Sequence, residues 1–337
     1  MIPIKPNDLN EALIRVLLTQ NVPMIHASPG VGKSQIVKQL ADKYSLELID
    51  MRLSQYDATD LNGFPCLEGE RSKYKPPATI PLETDEIPKN KNGWLLFLDE
   101  INSAFQSVQA SAYKLILDRA VGDHKLHPKV YMVAAGNLAT DKAIVNRSGT
   151  AMQSRLIHFQ LEVDKDSWFE WANTNKIDSR VISFIGFRPA LLHNFDPNHS
   201  DSTFPCPRTW EFLSNAIKNR PELDKVDKAI AAGTVGQGAA TEFFSFINVY
   251  TKIPTIQQII DAPTKVKLED EPSMYYALSG MVASNINDSN ITPIYEFIKR
   301  LPLEFQTLTW RFSIKRNPQL MSHDIVKDWL RQQAKEM

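Results

Sequence analysis

The segment Ala27-Ser28-Pro29-Gly30-Val31-Gly32-Lys33-Ser34 places two glycines, a lysine and a hydroxyl in an order suited to holding phosphate groups. The charge of a polyphosphate is best met by several backbone N–H groups pointing inward, and side chains in that loop would block the approach. Gly30 and Gly32 remove them. Lys33 would reach the outer phosphates, Ser34 would be placed for Mg2+, and the positive end of the following helix would add to the field. Pro29, Gly30, Val31, Gly32, Lys33, Ser34 and Gln35 are therefore the expected nucleotide-binding residues. The competing reading is a glycine-containing surface turn before an ordinary helix.

Asp99 and Glu100 close a continuous apolar run, 94–98, of the kind that is covered on both faces in a parallel sheet. Ligands of open parallel sheets sit beyond the carboxyl ends of the strands, where the phosphate loop also lies. There Asp99 would hold Mg2+, directly or through water, and Glu100 would polarise the water attacking a γ-phosphate. Two acids in that place could instead cap the helix that follows. Asn137 ends a second buried run, 130–135, and could bond the γ-phosphate or orient the water, or serve as a turn residue bonding its own backbone. Arg155 precedes the last expected strand, 157–161. On a monomer it is a surface arginine, whereas in a ring it could reach a neighbour's nucleotide. Arg208, which opens a helix after Pro207, could bend back onto bound phosphates.

The elements that must position these residues alternate between strand and helix. Leu9, Ala12, Leu13, Val16 and Leu17 mark one helical face, with Asn7 or Asp8 as its N-cap. Strands are expected at 22–26 and 46–51, on either side of the helix that follows the phosphate loop. Residues 63–92 carry five prolines, which exclude a long helix, and 68–70 reads as a hairpin tip, so this stretch is an insertion. Phe105, Val108, Ala112, Leu115 and Ile116 define another buried helical face, followed by a small hairpin turning at Gly122-Asp123. From Asp166 onward the pattern is helical, interrupted by a polar, proline-rich loop at 193–207 and by breaks at 233–238, Pro263, Pro272 and Pro302. The stretch 239–250 is apolar on most faces and is expected to be buried.

With 337 residues, 43% of them hydrophobic and 23% charged, the chain has the make-up of a soluble globular protein long enough for two domains. A formal net charge of -1 argues against a strongly basic nucleic-acid binder. Cys66 and Cys206 are far apart and without metal-like spacing, so neither a disulfide framework nor a zinc site is suggested. His124 and His127, three apart on a hairpin and without acidic support, make a poor metal site. No leader and no run of the length of a spanning helix is visible, and a cytoplasmic location is expected.

Taken in order, 27–34, the string Asp99-Glu100-Ile101-Asn102-Ser103-Ala104, Asn137, Arg155 and Pro207-Arg208 resemble the MoxR-like branch of the AAA+ ATPases. The acidic string and the Asp60-Leu61-Asn62-Gly63 segment before an insertion resemble that branch in particular. The resemblance implies a P-loop α/β core at 1–162 with a five-stranded parallel sheet and two β-hairpin inserts, 63–92 and 119–129. It further implies an α-helical lid at 163–222; the helical C-terminal region, 223–337, is read from the residue pattern alone and lies outside the resemblance. ATP and Mg2+ would be the cofactors, with Lys33 and Ser34 as Walker A, Asp99 and Glu100 as Walker B, and Asn137 as sensor 1. Arg208 would be sensor 2 and Arg155, or else Arg147, a finger acting on the neighbouring subunit of a ring, usually hexameric. The resemblance also implies a chaperone-like role on a client protein, often one with a von Willebrand factor A domain. Translocation of nucleic acid, gripped by Arg71, Lys73, Lys75, His124, Lys125 and Lys129 on the hairpins, and a slow ATP-dependent switch are the alternatives. Two departures stand out: the loop opens with Ala27, and the sensor strand ends Ala134-Ala135-Gly136-Asn137 where many relatives have Thr-Gln-Asn-Pro.

Overall fold

The computed structural model describes residues 1–141, 150–198, 201–250, 253–268 and 270–336. The chain divides into two compact units, Met1–Asp164 and Lys165–Met337.

In the first unit the elements run β1 (Pro3–Ile4), α1 (Pro6–Leu18), β2 (Val22–His26), α2 (Lys33–Lys43), β3 (Glu47–Arg52), α3 (Ala58–Asn62), β4 (Phe64–Glu68) and β5 (Arg71–Lys75). They continue with β6 (Trp94–Asp99), α4 (Gln106–Asp118), β7 (Ala120–Val121), β8 (His124–Lys125), β9 (Val130–Gly136), α5 (Thr150–Gln153) and β10 (Leu156–Leu161). The main sheet has six strands in the order β1-β10-β2-β9-β6-β3, all parallel. Its apolar runs are continuous because both faces are covered. Leu95, Phe97, Val133 and Ala135 pack with Leu9 and Leu13 of α1 and Val37 and Leu40 of α2. Leu96, Leu98, Met132 and Ala134 face the other way, onto Val108, Ala112 and Leu115 of α4.

The sheet departs from the expected five strands by one. The extra strand, β1, pairs with β10 through Pro3 and Ile4, and it is pinned by an ion pair between Lys5 and Asp164 at 3.1 Å. Two residues are too few to show a period of two, and a proline, lacking the N–H, is tolerated at a sheet edge. The start of α1 also differs: Lys5 is its N-cap and Pro6 its first residue, rather than Asn7 or Asp8 capping it. Proline suits that position because the first-turn N–H has no helical partner anyway.

Both expected hairpins form, β4 with β5 and β7 with β8. Their turns use Gly69 and Gly122 at φ 68° and 58°, where other residues are strained. The short helix α3 precedes the first hairpin, in a stretch for which the residue pattern predicts no helix. It ends at Gly63, where φ is 85° and a Cβ would lie 2.2 Å from the Lys75 carbonyl oxygen, so the strands can close only on a glycine. The hairpins lie side by side, a Cβ at Gly122 falling 3.7 Å from that of Tyr74.

The second unit is helical, with α6 (Lys165–Thr174), α7 (Ser179–Phe187), α8 (Pro207–Ile217), α9 (Lys225–Val235) and α10 (Gln237–Tyr250). There follow α11 (Ile256–Asp261), α12 (Pro272–Asn285), α13 (Ile291–Ile298), α14 (Leu303–Arg316) and α15 (Asp324–Glu336). Leu278, Val282, Ile294, Phe297 and Trp310 form the centre of its C-terminal core. The break expected at 233–238 forms at Gly236, with φ 86°, between α9 and α10. The expected burial of 239–250 is corrected. α10 is buried along one stripe only, through Ala240, Phe243 and Ile247, while Thr241 and Ser245 are exposed. Among the described residues no helix is long and apolar enough to cross a membrane.

Candidate functional site at the carboxyl edge of the sheet

β2, β9 and β6 are adjacent in the sheet, with His26 opposite Gly136 and Leu98 opposite Ala134. The residues that follow them are therefore neighbours although they are far apart in the chain. The chain leaves β2 for the β3 side of the sheet and returns from β9 to β10 on the other, so the crevice opens between β2 and β9. This is where open α/β sheets bind their ligands.

The loop from Ala27 to Gly32 carries positive φ at Gly30, 78°, and Gly32, 97°. Gly32 is the N-cap of α2, so no side chain caps that helix, and its first turn contains no acid. Its N-terminal N–H groups are thus available to an anion, with the helix field behind them. The Lys33 ammonium folds back over the loop, donating to the carbonyls of Ala27 at 2.8 Å and Ser28 at 3.3 Å and to Asn137 Oδ1 at 3.1 Å. This donor set fits a polyphosphate.

Ser34 and Asp99 meet across the loop: the Ser34 hydroxyl donates to Asp99 Oδ2 at 3.3 Å, and Asp99 is 7% exposed. A hydroxyl and a carboxylate in contact form the beginning of an oxygen shell suited to Mg2+, which takes few protein ligands and keeps its remaining positions for phosphate and water. Glu100 directly follows, at φ 56°, a backbone conformation uncommon for a residue with a side chain. Its N–H donates to Asp99 Oδ1 at 2.9 Å, and its Oε2 accepts from the Ser54 hydroxyl. Neither acid caps α4, whose N-cap is Phe105; Glu100 stands at the N-cap of a separate 3-10 turn, Ile101–Ser103, without a side-chain capping bond.

The structure thus brings together Lys33, Ser34, Asp99, Glu100 and Asn137. It also brings in residues to which the sequence reading assigned no role. Ser54 follows β3, and the pairing of Arg52 with Asp99 sets it beside Glu100. Asn102 lies in the expected acidic string but without any visible reason for its type. Asp50 joins the same carboxylate group. Burial pushes its proton affinity up, Asp99 and Glu100 push the same way, and Arg52 opposes them. Asp141 is 8% exposed, and its Oδ1 accepts from Ser28 of the loop at 3.3 Å. At the end of β2, His26 bonds His158 of β10 at 2.8 Å between Nε2 and Nδ1. Burial, then His158 and Lys33, lower the His26 pKa to about 4.

Comparison with solved structures finds partial likenesses at low identity. A Cytophaga hutchinsonii protein, whose assignment as an ATPase is itself provisional, aligns over 96% of this chain and 88% of its own at 15% identity, with a TM-score of 0.37. RuvB of Thermotoga maritima, as a point mutant, aligns over 72% and 68% at 14% identity and 0.39. NtrX of Brucella abortus aligns over 92% and 62% at 14% identity and 0.36. At scores this low the likeness carries no functional weight. No family model and no curated protein matches the chain.

The remaining site candidates are placed as follows. Arg155 is exposed just before β10, its guanidinium 5.2 Å from the ring centroid of Tyr113 on α4. Arg147 lies outside the described residues. Arg208 is exposed in the first turn of α8, in the second unit, where it offsets part of the burial that raises the pKa of Glu211.

Proposed function

We propose that this protein binds Mg-ATP at the carboxyl edge of its parallel sheet and hydrolyses it, as an AAA+ ATPase of the MoxR-like kind. One observation carries this reading: a lysine, a hydroxyl, two acids and an amide from three adjacent strand ends meet beside an uncapped helix N-terminus. Lys33 and the loop amides would hold the phosphates, and Ser34 and Asp99 the Mg2+ whose charge offsets theirs. Glu100 would take up the proton of an attacking water, and Asn137 would fix the position of the terminal phosphate.

Catalysis in this reading is completed by a second copy of the chain. Arg155 is exposed just before β10 and would reach a neighbour's nucleotide in a ring, with Arg147 as its alternative and Arg208 acting from a helical lid, 163–222. The β4–β5 hairpin exposes Phe64, Leu67 and Tyr74, 65%, 85% and 52% accessible, and its Lys73 is ion-paired with Glu68 at 2.7 Å. Apolar exposure with partly neutralised charge suits a protein client, including one with a von Willebrand factor A domain, better than nucleic acid.

The test is phosphate release from ATP by the purified chain, alone and with added client protein or DNA. Mg-dependent turnover that rises with protein concentration is expected. Absence of Mg-ATP binding, or turnover independent of dilution to the single chain, would overturn the reading.

A further inference from the structure

Asn102 is 6% exposed and stands in the 3-10 turn Ile101–Ser103, two residues beyond Glu100. Both ends of its side-chain amide are committed to the backbone of one residue, just past the end of the adjacent strand. Nδ2 donates to the Asn137 carbonyl at 2.8 Å, and Oδ1 accepts from the Asn137 N–H at 3.2 Å. A pair of hydrogen bonds to the N–H and C=O of a single residue fixes its orientation as well as its position, which one bond would not do. The side chain of that residue is in turn aimed at the phosphate loop, where Asn137 Oδ1 accepts from Lys33.

Gly136 shows how close the two segments run. A Cβ there would lie 2.3 Å from Asn102 Oδ1 and 2.6 Å from its Cγ. A Cβ at Gly136 would therefore displace the Asn102 side chain, and the Met24 methyl 2.9 Å away as well. This gives a physical reason for the Ala-Ala-Gly-Asn ending of the strand.

We propose that Asn102 is a positioning residue for the hydrolytic reaction, holding Asn137 in register with Lys33 and tying the turn that bears Glu100 to the strand end that bears Asn137. The proposal rests on the ATPase reading. Glu100, Asn102 and Asn137 then move as one body, so the group that polarises water and the group that locates the terminal phosphate keep a constant separation. Misplacement by about 1 Å of such a group can cost about a hundredfold in rate.

The experiment is steady-state ATP hydrolysis by the whole chain with Asn102→Ala, Asn137→Ala, the double variant and Gly136→Ala, each with its melting temperature. Asn102→Ala is expected to lower kcat about tenfold or more while KM for ATP stays within about threefold. The double variant should lose less than the product of the two single losses, because part of the effect of Asn102 passes through the side chain of Asn137. Gly136→Ala, which displaces Asn102 while leaving both asparagines in place, should lower kcat in the same direction. If Asn102→Ala folds too poorly to assay, Asn102→Asp keeps the shape and the acceptor but loses the donor, and should still slow turnover. Losses that multiply in the double variant, or a fall in melting temperature with kcat within twofold, overturn the proposal. An inactive wild-type chain, by contrast, removes the ATPase reading itself.

Discussion

The Ser54 hydroxyl donates a hydrogen bond to Oε2 of Glu100, so the acid that follows β6 is held from the turn after the neighbouring strand, β3. A donor on that oxygen competes with an attacking water for it. Ser54→Ala is expected to raise basal ATP turnover by about two- to tenfold, a release of part of the roughly 1.5–3 kcal/mol of a charge-assisted bond. A fall in turnover would show that Ser54 orients the carboxylate instead of restraining it.

Glu100→Gln retains the shape of the side chain and removes its ability to accept a proton. Loss of a general base costs typically about 10^2–10^4 in rate, so turnover should fall by at least about a hundredfold while nucleotide affinity is preserved. Turnover within about threefold of wild type would remove Glu100 from the water-polarising role.

Lys33→Ala takes away the ammonium that spans the Ala27 carbonyl and Asn137. Affinity for a fluorescent ATP analogue should drop by about tenfold to a hundredfold, the order expected for a charged hydrogen bond of roughly 1.5–3 kcal/mol. Unchanged affinity with an intact melting curve would dissociate the loop from phosphate binding.

At Gly63 two costs coincide, φ of 85° and a Cβ 2.2 Å from the Lys75 carbonyl oxygen, whereas at Gly69 only φ, 68°, is unfavourable and the space is open. Gly63→Ala should therefore destabilise the chain by about 1–3 kcal/mol, and Gly69→Ala by about 1–2 kcal/mol or less. Urea unfolding of both variants compares them directly. Equal losses would mean that the hairpin base relaxes around the added methyl group.

His26 binds its proton less readily when folded, its pKa lowered from 6.5 to about 4, first by burial and then by His158 and Lys33. Between these values the unfolded chain takes up more protons than the folded one. The contribution of His26 is therefore complete above pH 6.5 and is lost as pH falls toward 4. Replacing it with Gln should flatten the decline of the unfolding midpoint across that interval. A slope identical to that of wild type would show that other groups govern the acid limb.

Composition and spacing made the local features legible. Gly30, Gly32 and Lys33 announce a loop because only glycine takes the required φ, and the runs ending at Asp99 and Asn137 announce strands covered on both faces. The hairpin turns were equally plain, since Gly69 and Gly122 mark them by residue type. Where local cues were weak, the reading fell short. β1 is too short to show a period, and Lys5 caps α1 without a side-chain hydrogen bond.

By itself the amino-acid sequence determined which residue types stand at the ends of β2, β6 and β9, because each is set by a short stretch of chain. Only the tertiary structure decided that these ends are neighbours, since β9 comes between β2 and β6 by a crossover that no local pattern encodes. The contacts of Ser54 with Glu100, of Asn102 with Asn137 and of His26 with His158 all follow from that order and register. They depend on pairing across strands, and a one-residue slip in register would part residues that lie far apart in the chain.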